Sequence, residues 1–166
     1  MAGDLNSKFG AALDQFSGTR ETRPAAGPYG KLQGQDGKAQ SNTVEDSFAG
    51  EFAKLKLSII RPVFSSIGNM LQERGHEFNI SEEPGGKISI HIVPAGVNKS
   101  IHGYDWFPTL SFFSAPFTKT IGLHGRNMRP NAEGSSGNRG DFTLAQVTQD
   151  LVERELMKFI GEIANW

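Results

Sequence analysis

From Val44 to Arg74, apolar side chains recur every three or four residues. Phe48, Phe52, Leu55, Ile59, Val63, Ile67 and Met70 form the stripe, and Ile60, Phe64 and Leu71 widen it. As one helix this segment would run roughly 46 Å at 1.5 Å per residue. That is long for a chain of 166 residues, the size of one ordinary domain. Pro62 lies near its middle. Proline removes one backbone donor and clashes with the turn before it, at a cost of about 3 kcal/mol. The pattern therefore predicts a kink, or two consecutive helices, around Arg61 and Pro62. Asn42 can cap the start, with Glu45 three residues on, and Gly75 is a natural stop.

The next segments switch to a period of two. His76–Ser81 and Lys87–Ile92 alternate polar and apolar residues, with Glu82 to Gly86 as the turn. Pairing Ser81 with Lys87 sets Ile80 opposite Ile88 and Phe78 opposite Ile90, all facing the core. It also sets Glu77 opposite His91, a pairing that favours the imidazolium. Thr109–Ser114 reads as a third strand. Phe117–His124 reads as a fourth, with Phe117, Lys119, Ile121 and Leu123 on one side; a single bent strand with a bulge at Pro116 is the alternative. Arg126–Arg139 reads as a polar loop. In the last segment Thr143 and Gln146 fit a capping box, and Phe142 with Val147 a hydrophobic staple. Leu144, Val147, Leu151, Val152, Leu156, Phe159, Ile160 and Ile163 form one buried stripe, which Trp166 can extend.

The order helix, strands, helix points to an α+β fold. The simplest form is a two-layer sandwich, with a long Pro62-kinked N-terminal helix and a C-terminal helix on one face of an antiparallel meander of three or four strands. Residues 44–166 make this single domain. Residues 1–43 differ: they hold seven of the 20 glycines, and apolar side chains are nearly absent between Phe16 and Val44. They are expected to form a flexible arm, disordered over 17–42, with a short amphipathic helix over 5–16 from Leu5, Phe9, Leu13 and Phe16.

Composition excludes several chemistries. No cysteine is present, so disulfides, thiolate nucleophiles and Cys-based metal sites are impossible. Lys and Arg number 17 against 18 Asp and Glu, which rules out a uniformly basic nucleic-acid coat. The opening residues lack a basic, apolar leader pattern and no uncharged run is long enough to cross a bilayer, so the expected address is cytoplasmic, with no membrane partner. His76, His91, His102 and His124 have no metal-ligand spacing; no metal, cofactor or catalytic residue is assigned.

The sheet face turned from the helices is the expected partner surface. It should carry Glu77, Ser89, His91, Ser111, Phe113 and His124, mostly small or polar groups with one large ring. The segment 102–107 adds Tyr104, Asp105 and Trp106 as further partner-binding candidates in a long loop. The expected function is that of a non-enzymatic protein-binding, regulatory or adaptor module, with a protein partner or a second copy of the chain. Two alternatives stand beside it. One is RNA binding through Arg126, Arg129 and Arg139, in a helix–strands–helix order shared with double-stranded RNA-binding modules; the last helix here carries two cations against four acids, where those modules are basic. The other is a small-molecule enzyme or ligand binder at the His102–Phe107 loop.

Overall fold

The computed structural model describes residues 43–84, 86–97, 107–129 and 132–164. The long apolar stripe folds as α1 (Thr43–Leu55), a π-helical segment (Lys56–Ile60) and α2 (Arg61–Gln72). The π segment is how the chain accommodates Pro62. Proline cannot bond four residues back, and one extra residue in the turn removes the clash that a regular α-helix would suffer. The Arg61 N–H accordingly reaches five residues back, to the Lys56 carbonyl. The expected kink is thus a widened turn between two helices. The chain leaves α2 through Gly75, whose φ of 83° only glycine adopts freely. There the His76 N–H closes on the Leu71 carbonyl and the Gly75 N–H on that of Gln72, satisfying the last turn.

Five strands follow: β1 (Glu77–Glu82), β2 (Lys87–Val93), β3 (Thr109–Ala115), β4 (Thr120–Arg129) and β5 (Ala132–Phe142). They form one antiparallel meander in the order of the chain. The architecture is the expected α+β arrangement, with one more strand: the segment read as a polar loop, Arg126–Arg139, is the β4–β5 hairpin. Backbone pairing needs no apolar side chains, so a strand of Gly, Ser and Asn at the sheet edge leaves no periodic signal.

Two further expectations are corrected. The β1–β2 hairpin pairs Ile80 with Ile90, Phe78 with Ile92 and Ser81 with Ser89, a slip of two residues from the expected register. The turn is tighter than assumed: Glu83 N–H bonds the Lys87 carbonyl at 2.7 Å, and Gly86 N–H the Glu83 carbonyl at 3.2 Å. A two-residue slip preserves the face of every side chain, so the core assignments hold while Glu77 now stands across from Val93 and not His91. At Pro116 the chain turns, dividing two strands; Lys119, at φ 53°, closes the turn on the Pro116 carbonyl. Phe117 therefore sits at the hairpin tip and is 92% exposed, not on a buried strand face.

The C-terminal segment also starts in two steps. Thr143 precedes one 3-10 turn, Leu144–Gln146, and its N–H is taken by the Gln146 side chain at 2.8 Å. The α-helix proper, α3 (Gln149–Ala164), begins after Thr148, whose hydroxyl accepts the Leu151 N–H. Phe52, Phe64 and Leu71 from the N-terminal helices, Ile88, Ile90, Ile92, Leu110, Phe112, Ile121 and Leu123 from the sheet, and Leu151, Val152, Leu156, Phe159 and Ile160 from α3 form one core. At Gly68 a Cβ would collide with the Phe78 ring, so α2 comes closest to β1 where its side chain vanishes. Among the described residues no helix is long and apolar enough to cross a membrane.

Candidate functional site on the outer face of the sheet

Parity decides what the outer face carries. The residues between the core-facing positions align across the strands in rows. One row holds Lys87, Phe113 and Gly122. The next holds Ser81, Ser89, Ser111, His124 and Asn138. A third holds Asn79, His91, Thr109, Arg126 and Ser136. Serine recurs in three adjacent strands of the middle row, between rows of larger side chains. That difference in size makes a groove running across the strands.

The resulting concavity has a volume of about 360 Å³ and is lined by Ser81, Glu83, Lys87, Ser89, His91, Thr109, Ser111, Phe113, His124 and Arg126. Its floor is the Ser89–Ser111 pair, with hydroxyls 2.8 Å apart. Phe113 forms part of one wall. Its ring lies over Gly122 on the neighbouring strand, where any Cβ would collide with it. That glycine lets a large ring lie flat on the sheet.

Along the other wall runs a hydrogen-bonded chain. Thr109 donates its only hydroxyl proton to the Phe107 carbonyl at 2.8 Å. It must therefore accept from the His91 Nδ1, 3.0 Å away, and from Arg126 Nη2, at 3.4 Å. The neutral His91 ring then carries its proton on Nδ1, and Nε2 accepts from the Ser81 hydroxyl at 2.9 Å. A serine, a histidine and an orienting partner are in sequence, as in hydrolytic triads. The orienting partner here is a neutral hydroxyl already committed to a carbonyl. Thr109 supplies no negative charge, so its part in the chain is to orient the His91 ring. His124 Nε2 meets Ser136 Oγ at 3.1 Å.

The outer face thus holds His91, Ser89, Ser111, Phe113 and His124 together in one groove. Glu77, at the far end of β1, lies outside its lining. Tyr104, Asp105 and Trp106 lie outside the described residues, as do His102, the arm 1–42 and Trp166; Phe107 is buried. Arg126 and Arg139 belong to opposite faces. Arg139 lies beneath the sheet over the Phe159 ring, 5.1 Å from its centroid, and is ion-paired with Glu162. A Cβ at Gly125 would strike its side chain. Arg129 stands at the end of β4. Ser81, Glu83, Lys87, Thr109 and Arg126 line the groove although sequence reasoning did not tie them to the partner surface. The positions of Thr109 in β3 and Arg126 in β4 signal the face, but the pairing that brings them together depends on the turn at Pro116. Among the described residues no three His, Asp or Glu side chains converge as a metal site would need.

Comparison of the chain with protein-family models, with curated proteins and with solved structures finds no match.

Proposed function

We propose that the protein is a non-enzymatic binding module, of regulatory or adaptor type, that recognises a protein partner on the outer face of its sheet. The serine-floored groove is the observation that carries this reading. It combines a depression, a ring lying on the sheet and a set of oriented polar groups, the elements that a recognition surface uses for anchoring and specificity. The neutral orienting group behind His91 favours binding over nucleophilic chemistry. The placement of Arg126 and Arg139 on opposite faces favours a protein partner over RNA, since a phosphate chain needs cations on one surface.

Ser111→Tyr tests the reading, because it fills the groove from the side away from the core. Affinity capture with the full chain should recover a partner that a folded Ser111→Tyr variant no longer retains. Retention of the same partners by a folded Ser111→Tyr protein would overturn the proposal. Capture that collapses steeply with added salt would instead indicate nucleic acid.

A further inference from the structure

We infer that the groove binds an extended segment of the partner in which an acidic residue stands next to an apolar one, the carboxylate docking on Arg126 and the apolar side chain on Phe113. This rests on the outer face being the partner surface, and it names the chemistry recognised there.

Arg126 is the starting point. Each of Arg61, Arg139 and Arg154 meets a glutamate. Arg126 is half-buried in the groove wall and has no carboxylate partner among the described residues; its hydrogen bond is the long one to Thr109. A guanidinium carries five N–H donors in a planar fork suited to a carboxylate. The groove itself supplies no such acceptor. Its one lining carboxylate, Glu83, is held by Lys87 at 3.0 Å. Its hydroxyls are bonded to one another, to a carbonyl or to the histidines. Unspent donors facing a groove call for an acceptor from outside.

The dimensions set the form of the ligand. Strands are about 4.8 Å apart, so the row from β1 to β4 is about 14 Å long, the reach of roughly four residues of extended chain. Consecutive side chains of an extended peptide point to opposite sides. A backbone lying along the serine row therefore sends alternate side chains to the two walls. Phe113 and Arg126 are on opposite walls, and each side chain reaches toward the other's strand: the ring lies over Gly122 of β4 and the guanidinium meets Thr109 of β3. The two groups are thus offset along the groove by about one strand spacing, about 4.8 Å, which a step between neighbouring residues and their side chains spans. One acidic and one apolar residue in direct succession fill both places. Nucleic acid fits less well: of the two lining cations Lys87 is held by Glu83, which leaves Arg126, enough for one carboxylate but not for a phosphate chain.

The test is an NMR titration of the full-length, ¹⁵N-labelled chain with the capped tetrapeptide Ac-Ala-Glu-Leu-Ala-NH2 and with its Gln counterpart. Amide shifts at Ser89, Ser111 and His124 should saturate with the Glu peptide. Affinity should fall by about tenfold with the Gln peptide and, for the Glu peptide, with Arg126→Gln. Arg154→Gln, on α3, should bind as wild type. No shifts on this face, equal affinity for the two peptides, or shifts produced only by an oligouridylate would overturn the inference; the peptide comparison needs no variant to fold. Partner capture that is lost with Ser111→Tyr but kept with Arg126→Gln would leave the outer-face reading standing and remove the carboxylate.

Discussion

His76 opposes folding when it is protonated. It is buried at the end of α2, where its Nδ1 accepts the Ala95 N–H at 3.0 Å. Burial first, and the nearby Arg74 second, hold its pKa below the ordinary histidine value. A group with a depressed folded pKa contributes stability that is present above its unfolded pKa and is lost as pH falls through the folded one. Protonation would also place a hydrogen on the nitrogen that now accepts from Ala95. Denaturant midpoints should therefore drop between about pH 7 and pH 5, the range in which an unfolded histidine takes up its proton. His76→Gln should flatten that drop, and an unchanged slope would remove His76 as its source. Glu162 acts in the same direction at lower pH. The hydrogen bond from Arg139 lowers its pKa most, against an opposing effect of burial. Its contribution is lost as pH falls through the carboxylate range.

Individual elements show how far periodicity reaches. In α3 the spacing of Leu151, Leu156, Phe159 and Ile163 was enough to assign the buried stripe, and all four are buried. Leu156 is fully buried, whereas Arg154 is exposed and bonded to the neighbouring Glu155. Leu156→Ala should cost about 2–5 kcal/mol, the range for emptying a core leucine site. Arg154→Ala should change stability little. Urea titrations yielding equal losses would mean that the helix faces are reversed. The start of α3 was less legible. Thr143 and Gln146 do make a capping contact, but on a separate 3-10 turn, and the helix waits for Thr148. Capping patterns report local bonding and not how far the helix then runs. The β1–β2 hairpin carries the same lesson. Alternation specifies which side chains share a face, whereas the turn specifies which residues are opposite, and a shift of two satisfies the first while changing the second.

Among the described residues, every member of the buried cluster lies between Phe48 and Ile163. Residues 17–42 are rich in glycine and poor in apolar side chains, so a chain starting at residue 44 should melt within a few degrees of the full-length protein; collapse of the shortened chain would show that residues 1–43 complete the core. At this scale the amino-acid sequence by itself determined the fold class, most residues of the core (Phe117 excepted) and the parity of the outer face. Those follow from the periods of 3.6 and 2 and from the cost of leaving apolar side chains in water. Only the tertiary structure decided the register of the β1–β2 hairpin, the pairing of β5 and the alignment of Ser81, Ser89 and Ser111 in one row. The reason is physical. Burial acts on side chains one at a time and leaves its period in the sequence. A groove across strands exists only once backbone hydrogen bonds have set distant residues opposite one another, and those bonds are made by groups that every residue but proline shares.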